Sequence, residues 1–326
     1  MINNSERGLA SRLQLLNWGL LAAWAAALCI GLAATDFSLR LESLSAREVL
    51  TAPALTMAGL WLMGRGWGER PAFALLALAQ IGFLVMFAAL LSYIAAGAAL
   101  PLRDASFVAL DRLLGLGWPE HFHFAVARPE LLRYAVIFYG MIVVPSFGVP
   151  LVLGLTGRYV RLQQFVMAAM LTLCVVIPAS ALVPALGTYF EFGLPADTEV
   201  FRANGYVDQL RDLPMLRDGT LRALDLSKIG GIVTFPSFHA ATGILAIWGF
   251  WCIWWLRPAA LIVNGGMIAA TPLVGGHYFV DVLAGGVVAA FAILASKRLS
   301  ARASGGSRAS WQVAQPVQAR DLALIP

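Results

Sequence analysis

Charge is scarce in this chain. Only 13% of its 326 residues are Asp, Glu, Lys or Arg, while 60% are hydrophobic. Soluble domains carry about a quarter charged residues, so a fully water-exposed surface is excluded and the surplus apolar residues must face lipid. Cysteine is scarcer still. Cys29, Cys174 and Cys252 each lie inside an apolar run; none has zinc-ligand spacing and together they make no disulfide framework, so they read as small apolar core residues. Strongly polar residues within the runs are also few, Gln80 being one. That scarcity speaks against a transporter or channel, in which polar groups mark a path across the membrane. The net charge of +5 would suit nucleic acid if it were clustered, but the basic residues sit in short connections and in the C-terminal segment. Membrane orientation produces that distribution, and no nucleic-acid partner is expected. No internal repeat is visible.

What the sequence does contain is a series of apolar runs near 13–34, 49–64, 71–98, 132–156, 163–187, 238–256, 258–276 and 278–296. A membrane helix needs about 20 mostly apolar residues, so the expected fold is an all-α polytopic membrane helix bundle with about eight transmembrane helices. The first run follows Arg7 and Arg12 but exceeds the roughly 7–15 apolar residues of a signal peptide, and it reads as a retained anchor. Basic residues alternate between connections: Arg7 and Arg12, Arg65 and Arg70, Arg158 and Arg161, Arg257, then Lys297, Arg298 and Arg302. By the positive-inside rule these connections and both termini are cytoplasmic. The acidic 188–237 loop and the 99–131 loop then lie outside.

Within 99–131, Phe107, Leu110, Leu113 and Leu114 recur at helical spacing while Asp104, Asp111 and Arg112 take the other face. The pattern, ending in Trp118-Pro119, predicts a short helix in the interface plane. The segment from 299 onward, rich in Ser, Ala, Gly and Arg, reads as a flexible tail. Most of the tryptophans, Trp61, Trp67, Trp118, Trp251, Trp254 and Trp255 among them, are expected in interfacial belts.

Chemistry concentrates on one predicted side. All four histidines fall there: His121 and His123 in the first outer loop, His239 in Phe235-Pro236-Ser237-Phe238-His239, and His277 in Gly275-Gly276-His277-Tyr278-Phe279-Val280-Asp281. His277 and Asp281, four apart, share a helix face, so the carboxylate can fix the imidazole's tautomer and stabilise its positive charge. The glycines allow a tight turn. Pro236 suits a helix start, and Ser237 can cap the helix or hold a ligand. The exposed N–H groups there favour an anion. Two histidines on different helices allow one to attack while the other moves a proton. Pro145-Ser146-Phe147-Gly148 repeats the opener without a histidine and is expected to be inert in mid-helix. A metal site built from His121, His123, His239 and His277 would need the loop folded over the bundle; no metal or other cofactor is called for, since helix N–H groups and basic side chains can stabilise phosphate oxygens.

The Pro-Ser-x-His block followed by His-x-x-x-Asp resembles the type 2 phosphatidic acid phosphatase superfamily. Residues 276–281, and the stretch 109–118, resemble its inositol phosphorylceramide synthase and sphingomyelin synthase branch. The resemblance runs from about 100 to 296. It implies His277 as phosphoryl-accepting nucleophile, Asp281 as its orienting group, His239 as general acid and then base, and Ser237 as a phosphate holder. It further implies two N-terminal helices over 1–70, a catalytic six-helix core over 71–298, and a lipid phosphate substrate. Two departures stand out. Thr271 occupies the position of the Arg usually found six residues before the nucleophile in the family's phosphatases, and of the Lys-to-Arg-Pro motif only Arg128-Pro129 is present, with His121 in place of the Lys. Both favour an inositol phosphotransferase-like enzyme, with a lipid phosphate phosphatase of phosphatidic acid or polyprenyl-phosphate type, using the same triad and water as acceptor, as the alternative. Arg217, Arg222 and Lys228, shortly before Pro236, are the candidates left to neutralise phosphate. The expected setting is a bacterial inner membrane, with the site on the periplasmic or lumenal side.

Overall fold

The computed structural model describes residues 4–40, 46–66, 68–194 and 206–304. It is a helical bundle: α1 Asn4–Ala34, α2 Ala46–Arg65, α3 Glu69–Ala96, α4 Asp104–Leu113, α5 Trp118–Val126, α6 Pro129–Gly140, α7 Val143–Leu155, α8 Tyr159–Leu182, α9 Thr188–Glu191, α10 Tyr206–Asp218, α11 Phe238–Phe250, α12 Arg257–Val274 and α13 Phe279–Ala303. Among the described residues strand is confined to a two-residue parallel pair, β1 Ser38–Leu39 against β2 Ala223–Leu224. All-helical spans are what lipid demands, because no water is there to satisfy open backbone groups.

Each of the eight apolar runs is mainly helical. Among the described residues four helices, α1, α3, α8 and α13, are long and apolar enough to cross a membrane, and α6 with α7, bent by 49°, gives a fifth when the pair is counted as one broken span. The bend falls at the Met141–Ile142 break, and Pro145-Ser146 therefore sits in the first turn of α7 rather than in mid-helix; Ser146 Oγ bonds back to Ile142 O at 2.7 Å. The apolar run after His239 is shorter than it reads, because α11 stops at Phe250 and a 3-10 turn intervenes before α12.

At the centre, α8 packs against α1, α3 and α13, and α11 packs between α12 and α13. The long apolar cluster runs from Leu21 and Trp24 through Phe73, Leu84, Phe165 and Met170 to Leu245 and Ala289. Inter-helix polar bonds fix the register there. Asn17 Nδ2 donates to Gln163 Oε1 at 2.9 Å, and Gln80 Nε2 to Gln14 O at 3.3 Å. Gln80 thus serves helix association, where a side chain lacking a partner in hydrocarbon would cost several kcal/mol by order of magnitude.

The predicted short helix in the 99–131 loop exists as α4, but the predicted faces do not hold together: Phe107 is buried with the two acids and Arg112 is exposed. Asp104 and Asp111 are buried, whereas Leu110, Leu113 and Leu114 are exposed. Carboxylates go inward because they find backbone donors there, and the leucines are left to lipid. Trp118 also departs from the belt expectation: it is buried, with its indole N–H on Pro272 O at 2.8 Å. Trp61, Trp251, Trp254 and Trp255 are exposed as belt residues would be. At the C-terminus, α13 continues to Ala303, so residues 299–303 are helix; positions 305–326, like Trp67 and the loop charges Asp197, Glu199 and Arg202, lie outside the described residues.

Candidate active site

One end of the bundle collects the C-terminal ends of α3, α8 and α12 with the N-terminal ends of α11 and α13. A cavity of about 440 Å³ opens there, lined by His239, His277, Tyr139 and Gln209 and by apolar side chains such as Val85, Leu173 and Ile177. Among the described residues no Lys or Arg lines it.

His239 enters on the first turn of α11. Ser237 is that helix's N-cap, its Oγ accepting from Ala240 N at 3.3 Å. The Phe235–Pro236 peptide before it is cis. Since Ala241 N is the first amide to bond back to Ser237 O, the amides of Phe238 and His239 have no acceptor within the helix. Both residues line the cavity. Ser237 itself is fully buried, so its hydroxyl caps while its backbone joins the two motifs: Ser237 N donates to Asp281 O at 3.0 Å.

His277 lies in the turn between α12 and α13. Gly276 takes φ +65°, a left-handed conformation that glycine adopts at no steric cost. A Cβ on Gly275 would lie 2.6 Å from the Tyr139 hydroxyl and 2.7 Å from His277 Cδ2. Gly275 is therefore needed by the approach of Tyr139 and His277 themselves, and Gly276 by its backbone conformation. His277 Nδ1 faces Asp281 Oδ2 at 3.4 Å, and the same oxygen accepts Tyr278 N at 2.8 Å. This is the capping box of α13, and it means that one carboxylate both starts the helix and aims the imidazole. The His239 and His277 rings are 6.4 Å apart, centroid to centroid. A phosphoryl group with its leaving oxygen fits a gap of that order, since proton transfer needs heavy atoms within about 2.6–3.2 Å.

Three supports were not legible beforehand. Tyr139 stacks on His239 with centroids 4.0 Å apart and planes 10° from parallel. Asp111 accepts Phe279 N and Val280 N, each at 2.9 Å, so an acid from α4 sits on the N-terminus of α13, where negative charge is favoured. Asp104 accepts Leu186 N at 3.1 Å, Gly187 N at 2.8 Å and the Tyr278 hydroxyl at 2.9 Å. The only available signal was the acidic spacing in α4, which also suits a solvated face. The end of α12 is held from the same side: Trp118 bonds Pro272 O, and the Tyr189 hydroxyl donates to Leu273 O.

The three basic candidates are separated. Arg222 pairs with Asp36 at 2.9 Å and lies over the Phe37 ring. Lys228 pairs with Asp225 at 3.3 Å and is largely exposed. Arg217 lines a smaller cavity that shares Ser92, Ile232 and Val233 with the histidine cavity, and its Nη1 is buried without a hydrogen-bond partner. Thr271, at the expected Arg position, is buried and bonds Met267 O at 2.8 Å. His121 and His123 are exposed on α5, away from the cavity lining; His121 Nδ1 contacts Gly117 O at 2.6 Å. Arg128 donates to Phe124 O at 3.0 Å at the start of α6.

No curated protein and no solved structure matches the chain. The model of one family, the PAP2 superfamily, matches residues 105–295. The matched stretch takes in both motifs and α4 through most of α13 and leaves out α1–α3, although α3 contributes to the cavity wall. It covers more than half of the 326 residues, and the protein therefore belongs to the PAP2 superfamily, as an integral membrane protein with a lipid phosphatase- or phosphotransferase-type activity.

Proposed function

We propose that the protein is a lipid phosphotransferase, inositol phosphotransferase-like in its acceptor, that works through a phosphohistidine at His277. The observation that carries this reading is the pair of imidazoles 6.4 Å apart on one wall of a cavity whose remaining walls are mostly apolar. Such a cavity suits a lipid whose phosphate lies between the rings and whose chains lie against α3 and α8.

In the first half-reaction His277 attacks phosphorus, forming a P–N bond as the P–O bond to the leaving alcohol breaks; His239 gives that oxygen its proton. In the second, an acceptor hydroxyl loses its proton to His239 and attacks phosphorus, and the P–N bond breaks to return His277. Asp281 holds the imidazole and stabilises the charge it develops. The free amides of Phe238 and His239 stabilise the phosphoryl oxygens, with the Ser237 cap presenting them. Of the three basic candidates, Arg217 is the one without an ion pair among the described residues, with its Nη1 lacking a hydrogen-bond partner in the smaller cavity next to that of the histidines. Arg222 and Lys228, already ion-paired, contribute only to the potential of the loop.

Thr271 in place of a cation, and the mainly apolar walls, favour an organic acceptor over bulk water. The alternative keeps the same residues and uses water, giving a lipid phosphate phosphatase. The loop charges support an outward-facing site with both termini inside. The test uses the full chain with lipid substrate labelled in its phosphate. Label should be trapped on the wild type and lost in His277→Ala, and a new phospholipid head group should form with little free phosphate. Turnover by His277→Ala at the wild-type rate would sink the phosphohistidine; exclusive release of inorganic phosphate would select the phosphatase.

A further inference from the structure

At the end of the bundle opposite the histidines lies a second cavity, of about 500 Å³. Val160 in its lining and Val176 in the histidine cavity stand on the same helix, 16 residues apart in sequence, or about 24 Å at the helical rise. Its charged lining is Arg70, Arg158 and Arg161 against a single carboxylate, Glu6, with Thr156 and Gln164 as further polar groups.

Basic residues at a membrane face are ordinary, so their engagement decides what these can do. Neighbouring Arg7 is paired with Glu69 at 3.0 Å, and Arg12 donates to Ala303 O at 3.2 Å. Among the described residues, Arg70, Arg158 and Arg161 have no ion pair. Arg161 lies over the Trp248 ring at 4.4 Å, which holds the guanidinium in place, and its Nη1 is buried without a hydrogen-bond partner. The backbone adds donors of the same kind. Helix α8 starts here without a side-chain cap, and Leu162 N is its first amide to bond back, to Arg158 O. The amides of Tyr159, Val160 and Arg161 therefore remain open at a positive helix end.

We propose that this cavity is a binding site for a phosphate group, either on the head group of an anionic phospholipid in that leaflet or free in the adjoining solution. Arg70 and Arg158, both exposed, close on the anion from the solvent side, and Arg161 with the first turn of α8 receives it from below. Guanidinium forks match phosphate oxygens in geometry as well as charge. The site is separate from the histidine cavity, and its occupancy can be measured without turnover.

Native mass spectrometry of the full chain, with phosphatidylglycerol, phosphatidylcholine and inorganic phosphate as probes, tests it. The wild type should retain one phosphatidylglycerol in preference to phosphatidylcholine by roughly tenfold or more. Arg70→Gln with Arg158→Gln should weaken that binding about 10- to 100-fold, or about 1.4–2.8 kcal/mol, because the anion loses two charged hydrogen-bond donors on its solvent side. These two side chains are exposed, so folding should survive; Lys297→Gln with Arg298→Gln removes equal charge elsewhere and should change binding less than threefold. Displacement of the lipid by millimolar phosphate would make the free anion the ligand, and retention would make it the head group; both keep the site. Equal binding of the two lipids together with no binding of inorganic phosphate, or equal losses in both double variants, overturns it.

Discussion

Tyr278 donates its hydroxyl to Asp104 Oδ1 at 2.9 Å across 174 positions of sequence. The residue next to His277 is thereby fastened to α4, and the same carboxylate holds the amides of Leu186 and Gly187. Asp104→Ala would leave three donors in a buried site without their acceptor. Each stranded donor costs about 1–3 kcal/mol, so the melting temperature of the purified protein should drop clearly, and more than for Asp104→Asn, which keeps one acceptor oxygen. Equal melting of Asp104→Ala and wild type would show that the clamp carries no stability.

Asp111 makes a second, distinct claim, because it meets the helix on which Asp281 stands. Asp111→Ala removes both N–H acceptors at the start of α13 and should cost about 1–3 kcal/mol, with a fall in turnover of about tenfold if His277 and Asp281 lose alignment. Burial pushes the Asp111 carboxyl above the ordinary carboxylate range, while the Phe279 and Val280 amides pull it back. The folded chain then holds more protons than the unfolded one. Stability from this group is full below the unfolded value, near pH 4, and is lost as pH rises through the folded value. Melting of the wild type relative to Asp111→Asn, followed from about pH 4 to neutrality, should therefore decline; a rising difference would reverse the sign argued here.

Much of the frame could be read from the residues, and the reason is physical. Lipid forces long apolar runs, and the spacing of His277 and Asp281 marks them as partners, although His277 sits in the turn before α13 and meets the carboxylate that caps the helix rather than sharing a helix face with it. Ser237 as N-cap and the Gly275-Gly276 turn follow from local backbone preferences in the same way. The orientation of α4 was out of reach, because Asp104 and Asp111 find their partners 75 or more positions downstream, at Leu186, Gly187, Tyr278, Phe279 and Val280. Tyr139 is hidden for the same reason: an aromatic in an apolar run carries no mark of the ring it will stack on. Arg217, Arg222 and Lys228 read alike in sequence, yet the folded loop pairs two of them and leaves the third beside the cavity.

Tyr139 can be separated into ring and hydroxyl. A stacked aromatic pair is worth about 0.5–1.5 kcal/mol beyond burial, or roughly 2- to 12-fold when it sets the position of a reacting group. Tyr139→Leu should slow turnover by about that factor, whereas Tyr139→Phe keeps the stack on His239 and should stay within about threefold of wild type. A positioning role predicts that the slower variant changes kcat with little change in KM. A Tyr139→Phe loss as deep as that of Tyr139→Leu would instead put the hydroxyl in contact with substrate.

Two adjacent glycines of α13 offer a matched pair. A Cβ on Gly285 would lie 2.2 Å from Ser237 O, whereas one on Gly286 meets nothing within 4 Å. Gly286→Ala should be neutral or stabilising by up to about 1 kcal/mol, the helix-propensity difference between the two residues. Gly285→Ala must push α13 from α11 against backbone that cannot yield by a rotamer change, at a cost of about 1–3 kcal/mol. Because Ser237 N also donates to Asp281 O, the push falls on the contact that joins the His239 and His277 segments. Melting and turnover should therefore both decline in Gly285→Ala and both hold in Gly286→Ala. Equal behaviour of the two variants would mean that the close approach of α11 and α13 does not govern the spacing of the histidines.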